Sequence, residues 1–206
     1  SLDGKIALKN GESNWISNPQ SRKNSHHIRS TVKGILVGRN TAEQDNPSLT
    51  VRLTNNELGL GKGEIIQQPV KIILGNLKRS KKVSNIFTGN SKVIVGSSQS
   101  SKKSKNVEYL KYKKKNFLKE FLQDLLDRNI SSILVEGGQK TLNAFLVNNL
   151  FDELVLYTAP MFLGKESKDA ISVKAPDKIK ASLKLQMKGV EKFKDDIKTT
   201  YYNKDI

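Results

Sequence analysis

The chain has 206 residues, a length typical of one globular domain, and we expect residues 1–206 to form a single domain. It has no cysteine and no long uncharged apolar run, which excludes disulfide bonds, thiolate metal sites and a membrane-spanning helix. The net charge of +16 comes from 30 lysines and only six arginines, without interleaved aromatic residues, so we expect no nucleic-acid partner.

Three helices are predicted. The first runs from Pro19 to about Val32, with Ser17 or Asn18 as its N-cap and the proline in its first turn. Between Asn116 and Asn129, apolar residues recur at three- and four-residue spacing, which predicts a second helix capped by its first residue. The third begins directly after the Gly137-Gly138 pair.

Short runs of β-branched and aliphatic residues, bounded by Gly or Ser, predict strands that are buried on both faces. They lie at residues 34–38, 70–74, 92–96 and 132–136. Residues 153–159 form a further predicted strand, ended by Pro160, and two β-like stretches flank residues 194–196 as a hairpin. The order predicts an α/β fold with a mixed, mostly parallel sheet, an antiparallel C-terminal hairpin and flanking helices.

Two segments rich in small and polar residues, Asn55–Gly63 and Ser97–Lys105, are predicted to be surface loops. The glycines between Gly59 and Gly63 lack the Lys-Ser or Lys-Thr pair that completes a phosphate-binding loop. We therefore interpret them as a glycine-rich turn.

The residues Val135-Glu136-Gly137-Gly138 join a predicted strand to a predicted helix. Glycines let a phosphate approach the backbone, and the free N–H groups at a helix start attract anions. A strand-to-helix turn also needs glycine for steric reasons alone, so the pair by itself leaves both interpretations open.

The polar N-terminal third contains the only tryptophan, Trp15, which is either a core residue or a flat wall against an aromatic ligand. Arg29 and Arg52 stand out in a chain that otherwise uses lysine. Their planar groups suit phosphate or carboxylate binding, but surface salt bridges explain them equally well. The adjacent His26 and His27 point in different directions on a helix, so we expect surface or boundary histidines and no metal site.

Six motifs follow one another in order along the chain: Ser1-Leu-Asp-Gly-Lys5, Gly11-Glu-Ser-Asn-Trp-Ile-Ser17, Ile35-Leu-Val-Gly-Arg-Asn-Thr41, Asp45-Asn-Pro-Ser-Leu-Thr-Val-Arg52, Val135-Glu-Gly-Gly138 and Asp152-Glu-Leu-Val-Leu-Tyr-Thr-Ala-Pro160. Together they resemble the reductase domain of the bifunctional riboflavin biosynthesis protein RibD. The resemblance covers nearly the whole chain. It implies a dihydrofolate-reductase-like fold and the NADPH-dependent reduction of 5-amino-6-(5-phosphoribosylamino)uracil to the phosphoribitylamino compound.

The resemblance also implies which residues contact each ligand. The substrate-binding positions are Ser13, Arg29, Leu49, Arg52 and Glu136. The NADPH-binding positions are Trp15, Thr41, Asp45, Asn76 and the turn formed by Gly138, Gln139, Lys140, Thr141, Leu142, Asn143 and Ala144. Lys5 and Glu136 are the candidate catalytic residues: Lys5 would polarise the opening sugar, and Glu136 would help to transfer the proton.

The resemblance further implies a small phosphorylated substrate, a homodimer and a fused or separate deaminase. The resemblance places a first strand and an upstream deaminase domain ahead of the position of Ser1, so we expect either a fragment that begins inside that strand or a separate reductase whose opening residues are not shown. The start of the chain carries no export signal, so we expect a cytoplasmic enzyme.

Two alternatives stay open. Within the same fold, a related reductase acts on the 2,5-diamino-6-ribosylaminopyrimidinone phosphate, before deamination. From a different class, a non-catalytic basic protein that binds nucleic acid would also explain the charge of +16.

Overall fold

The computed structural model describes residues 1–77, 84–98, 106–112 and 117–204. The chain divides into two compact units. We call Ser1–Asn24 together with Leu142–Ile206 the hairpin unit, and Ser25–Thr141 the sheet unit. Helix and strand bounds, in chain order, are β1 (Lys5–Ala7), α1 (Pro19–Ser30), β2 (Gly34–Gly38), α2 (Arg39–Asp45), β3 (Val70–Leu74), β4 (Val93–Ser97), β5 (Val107–Lys111), α3 (Phe117–Leu126), β6 (Ile133–Val135), α4 (Gln139–Val147), β7 (Glu153–Thr158), β8 (Lys168–Asp169), β9 (Leu185–Phe193) and β10 (Asp196–Asn203).

The sheet unit contains a five-stranded parallel sheet in the order β5-β4-β3-β2-β6. Every residue of β2 and β4 is buried, as expected for central strands made of Ile, Leu and Val. Their side chains form the core together with Leu49 and Ile86. On β4, Gly96 leaves room for the Phe121 ring of α3, since a Cβ there would lie 2.5 Å from that ring.

The hairpin unit contains the antiparallel strands. The β9–β10 hairpin turns at Lys194, whose φ is +55°, and β10 also pairs with β7. The two short strands β1 and β8 form a separate pair, with Lys5 opposite Asp169. Among the described residues, the hairpin therefore extends β7 and not the parallel sheet.

These elements confirm the predicted α/β class, the predicted strands within one or two residues of their ends, and the C-terminal hairpin. The first helix ends at Ser30, two residues before the predicted end, and Asn18 is its N-cap. The Asn18 Oδ1 accepts the N–H groups of Gln20 and Ser21, at 2.9 and 3.1 Å.

The helix predicted over Asn116–Asn129 is observed as α3, and its proposed cap Asn116 lies outside the described residues. The same holds for most of the loop predicted at Ser97–Lys105, whose first residue ends β4. The sequence analysis missed β1, α2, β5 and β8. Within the described ranges, no helix is both long enough and apolar enough to cross a membrane.

Candidate functional site

The carboxyl ends of β2 and β6 lie side by side in the sheet unit. From β2 the sheet grows outward through β3, β4 and β5, and the chain then returns to add β6 on the other side of β2. Such a reversal leaves a crevice beyond the carboxyl ends of β2 and β6, and open α/β sheets bind ligands in a crevice of this kind. The segments that follow Gly38 and Val135 therefore border the candidate site.

The Gly137-Gly138 turn follows β6 and is fixed by one hydrogen bond from the end of β2 and one to α2. Gly38 N–H donates to the Gly137 carbonyl at 3.1 Å, and Gly138 N–H donates to the Thr41 hydroxyl at 2.8 Å. A Cβ on Gly38 would lie 2.1 Å from Thr141 Oγ1, so only glycine fits there. A cis peptide bond joins Gly137, whose φ is +102°, to Gly138.

Helix α4 starts directly after this turn, at Gln139. The N–H groups of Gln139 and Lys140 belong to its first turn, where the helix itself offers no acceptor. An anion that entered the turn would meet these donors and the positive end of the helix dipole. The predicted order of strand, glycine turn and helix is therefore observed, and anion binding there stays a prediction.

Arg29 of α1 and Glu136 form a bidentate ion pair. The Arg29 Nε and Nη2 lie 2.5 and 2.6 Å from the two carboxylate oxygens, and Nη1 donates to the Thr50 carbonyl at 2.9 Å. The side chains are only 15% and 20% exposed, so water screens the pair weakly. The structure thus brings together two residues that we predicted to bind one substrate.

Arg52 lies in the same unit, and its side chain is exposed. In the part of the chain that the structure describes, its guanidinium group has no ion-pair partner. Its backbone N–H donates to His26 Nδ1 at 3.1 Å. Burial, together with the charges of Arg29 and Arg52, lowers the pKa of His26 below its usual value, which favours the neutral ring that this bond requires.

Other predicted residues lie near the same edge of the parallel sheet. Asn76 follows β3, and its side chain exchanges hydrogen bonds with Ser98, which follows β4, at 2.9 and 3.0 Å. Asp45 is exposed and is the last residue of α2, the helix that directly follows β2. Leu49 has φ +49° and a side chain that is 1% exposed, so only its backbone is available to a ligand.

Three further predicted residues, Lys5, Ser13 and Trp15, lie in the N-terminal part of the hairpin unit. Lys5 Nζ lies 2.5 Å from Asp169 Oδ1 and is largely shielded from solvent. Ser13 is exposed, and Trp15 is 70% exposed with the Arg22 guanidinium 4.2 Å from its ring centre. Trp15 is therefore a surface side chain and not a core residue.

Trp15 borders a groove of about 430 Å³ within the hairpin unit. The groove is also lined by Arg22, Met161 and Asp195. A flat indole beside a cation and a thioether offers a surface against which an aromatic ring could stack.

The predicted cofactor-binding residues on α4 differ in exposure and in hydrogen bonding. Lys140 is exposed, and Leu142 and Ala144 are half-buried. Asn143 exchanges two hydrogen bonds with the Ser172 backbone, at 2.7 and 3.0 Å. The Asn143 side-chain amide therefore already uses one donor and one acceptor in bonds within the protein.

Four residues at these sites were not predicted from the sequence: His26, Gln68, Ser98 and Asp169. They contact Arg52, Val51, Asn76 and Lys5, respectively. Each contact joins residues far apart in the sequence, so no local motif predicts it. Within the described ranges, no group of three or more His, Cys, Asp or Glu residues could hold a metal ion.

Comparisons with known proteins agree with this arrangement. Residues 1–199 match the model of the RibD C-terminal domain. The chain is 31% identical over 212 residues to the riboflavin biosynthesis protein RibD of Haemophilus influenzae, and 35% identical over 204 residues to that of Aquifex aeolicus. These alignments cover 100% and 95% of this chain but 57% and 53% of the relatives, so the chain spans about half of their length.

A shorter relative, named 5-amino-6-(5-phosphoribosylamino)uracil reductase, comes from Buchnera aphidicola of Acyrthosiphon pisum. It is 30% identical over 208 residues, with 97% of this chain and 100% of the relative covered. Among solved structures, RibD of Acinetobacter baumannii superposes with a TM-score of 0.83 at 26% identity, over 98% of this chain and 55% of that one. The family model, the relatives and the structures agree, and the chain belongs to the RibD C-terminal domain family.

Proposed function

We propose that the chain is an NADPH-dependent reductase that converts 5-amino-6-(5-phosphoribosylamino)uracil to 5-amino-6-(5-phosphoribitylamino)uracil, a step of riboflavin biosynthesis. The relative from Buchnera aphidicola carries the name of this reductase and is matched over its full length. The observation that carries the proposal is the Arg29–Glu136 pair next to the Gly137-Gly138 turn, where the order of the sheet reverses.

The substrate needs cations for its phosphate and polar groups for its ring and ribose. Arg52 supplies an exposed guanidinium, which suits a phosphate because its planar fork offers two parallel donors. Glu136 can accept N–H or O–H groups of the ring or ribose, while Arg29 fixes the direction of its carboxylate. Ser13 and the Leu49 backbone complete the proposed substrate contacts.

We assign the cofactor to the same edge of the sheet unit. Gly137 and Gly138 carry no side chains, which allows the close backbone approach that a diphosphate needs. We assign the NADPH phosphates to the start of α4, from Gly138 through Ala144, and further contacts to Thr41, Asp45, Asn76 and Trp15. When bound, NADPH supplies the hydride.

The protein's own contribution is orientation and proton transfer. Lys5, ion-paired with Asp169, retains N–H donors that could polarise the sugar as its ring opens. Glu136, or a water that it holds, is the second candidate for moving the proton. Neither role requires a covalent bond between protein and substrate.

The first experiment measures the fall of NADPH absorbance when the ribosylaminouracil phosphate is added, with identification of the ribityl product by mass spectrometry. We expect oxidation of one NADPH per product. Arg52→Ala should raise KM for this substrate by at least about tenfold, since a hydrogen bond between charged groups contributes roughly 1.5–3 kcal/mol. The matched control is Lys33→Ala, an exposed cation at the amino end of β2. Intact NADPH in the presence of substrate would overturn the proposal.

Two comparisons separate the alternatives. If the 2,5-diamino-6-ribosylaminopyrimidinone phosphate has the higher kcat/KM, the chain acts before deamination. If the protein shifts nucleic acid at physiological salt and leaves NADPH unchanged, the charge of +16 serves binding and the reductase assignment is wrong.

We further propose a homodimer and a deaminase that acts earlier in the same pathway, either fused to this chain or separate. A solved relative from Thermotoga maritima is described as both deaminase and reductase. For the dimer, the support is an apolar face of the β7–β10–β9 sheet, where Met187, Val190 and Ile197 are 57%, 56% and 45% exposed. Light scattering during size-exclusion chromatography tests it: a monomeric mass contradicts the dimer, and Val190→Lys should convert a dimer to a monomer.

A further inference from the structure

The segment Leu49–Leu53 contains Arg52, and side chains from other parts of the chain hold its backbone in place. Its side chains alternate: Leu49, Val51 and Leu53 are 1%, 6% and 7% exposed, and Arg52 points outward. Such alternation is typical of an extended chain, yet this segment does not form a strand. The three buried side chains anchor the segment in the sheet unit, while the direction of Arg52 depends on how the backbone is held.

Side chains, and not a neighbouring strand, bind the backbone of this segment. Gln68 Oε1 accepts the Val51 N–H at 2.9 Å, and Gln68 Nε2 donates to the Val51 carbonyl at 3.3 Å. Arg29 Nη1 donates to the Thr50 carbonyl at 2.9 Å, and Arg52 N–H donates to His26 Nδ1 at 3.1 Å. Three consecutive residues thus have backbone groups satisfied by three different side chains.

Two of these side chains come from one face of α1. His26 and Arg29 are three residues apart, and residues at this spacing lie next to each other on a helix. Arg29 also binds Glu136, so the same helical face contacts the Glu136 carboxylate and the backbone on both sides of Val51. The positions of Glu136 and Arg52 are therefore linked through α1.

We infer that His26 and Gln68 are positioning residues: they fix the Leu49–Leu53 backbone and thereby aim the Arg52 guanidinium at the substrate phosphate. The inference rests on the proposed function for its ligand, and on the hydrogen bonds alone for its geometry. A guanidinium on a fixed backbone loses less conformational freedom when it binds, which strengthens binding without adding a contact.

The geometric part is tested without any ligand, by NMR hydrogen exchange of individual amides. In the full chain, His26→Leu should accelerate exchange of the Arg52 amide about fivefold or more, the factor expected for a net hydrogen bond of roughly 1 kcal/mol. His26→Asn, whose side-chain oxygen can stand in for Nδ1, should restore slow exchange. His27→Leu, which leaves the three side chains of this support intact, is the matched control. Equal exchange rates in all four proteins would overturn the inference.

The functional part is tested by steady-state kinetics on the same variants. His26→Leu and Gln68→Met should each raise KM for the phosphorylated substrate about three- to tenfold, with kcat and the NADPH dissociation constant changed by less than about twofold. His26→Asn should return KM towards the wild-type value. A loss of kcat and NADPH affinity together with KM would indicate general damage to the fold and contradict a positioning role.

The two parts fail separately. If the wild-type protein does not oxidise NADPH, the proposed function is wrong, and the exchange experiment still decides whether His26 holds the segment. If the enzyme is active but KM is unaffected by both His26→Leu and Gln68→Met, the reductase assignment stands and the positioning roles are wrong.

Discussion

The guanidinium of Arg29 donates two hydrogen bonds to the carboxylate of Glu136, at 2.5 and 2.6 Å. A third N–H of Arg29 binds the Thr50 carbonyl, which leaves two of its five N–H donors for a ligand. The two residues therefore form a preorganised pair, and we expect a substrate at the proposed site to add hydrogen bonds to groups that are already oriented.

Glu136→Gln tests this pair. The amide keeps the shape of the side chain but loses its charge and one acceptor, so Arg29 keeps at most one of its two bonds. We expect kcat/KM to fall about 10- to 100-fold and the free energy of unfolding to fall by about 1–2 kcal/mol, because the pair is only partly exposed. Steady-state kinetics and urea denaturation measure both effects. Glu120→Gln, an exposed carboxylate on α3, is the control, and unchanged kinetics in Glu136→Gln would contradict the assigned role.

Gly38→Ala tests the close contact between Gly38 and Thr141, next to the Gly137-Gly138 turn. The new methyl group would lie 2.1 Å from Thr141 Oγ1, so either the Thr141 side chain or the backbone around Gly38 must shift to avoid it. We expect a loss of about 1–3 kcal/mol in the free energy of unfolding and weaker NADPH binding, measured by denaturation and by fluorescence. Removing the hydroxyl in Gly38→Ala/Thr141→Ala should recover most of the stability, since the Thr141 Cβ is 3.4 Å away. Additive losses in the double variant would show that the two residues do not collide.

Stability should depend on pH through His26. Burial, then Arg29 and Arg52, lower its pKa below 6.5, while Glu136 opposes the shift. The folded protein therefore binds fewer protons than the unfolded chain, so the contribution of neutral His26 is complete above pH 6.5 and is lost as the pH falls through the lower folded value. We expect wild type to lose more stability than His26→Asn between about pH 8 and pH 5 in urea denaturation. Parallel pH profiles of the two proteins would contradict this.

Lys71 is a charged side chain inside the parallel sheet unit, and its removal should be costly. It is 1% exposed, and its Nζ donates to the carbonyl groups of Ile86 and Thr88, at 3.0 and 2.9 Å. Lys71→Met would leave both acceptors, of which that of Ile86 is buried, without this donor, and we expect a loss of about 2–5 kcal/mol in the free energy of unfolding. The exposed control Lys33→Met should change it by less than about 0.5 kcal/mol. Equal stability of Lys71→Met and wild type would show that the two carbonyl groups find other donors.

Local signals explain which parts of the fold could be predicted. Helix α1 begins where Asn18 and Pro19 indicate, because both act within one turn of the chain. Helix α2 carries only one apolar residue, Ala42, so its seven residues show no periodicity. Strands β1 and β8 have three and two residues and are defined by their pairing with each other, not by their composition.

The same distinction between local and long-range signals applies to the candidate site. Gly137 and Gly138 could be predicted to form a turn, because tight turns need glycine. The bond from Arg52 to His26 crosses 26 residues of sequence, and the bond from Val51 to Gln68 crosses 17. Neither His26 nor Gln68 stands in a motif, so their roles emerge only when the chain is folded.

The neighbouring strands β2 and β6 are separated in sequence by the whole of β3, β4 and β5. A nascent chain that has reached β5 already contains Arg29 and Arg52, but it has neither the carboxylate that orients one of them nor the glycine turn that receives an anion. At the proposed site, recognition of either ligand must therefore wait until the last parallel strand has docked, and we expect affinity for NADPH to report the final stage of maturation.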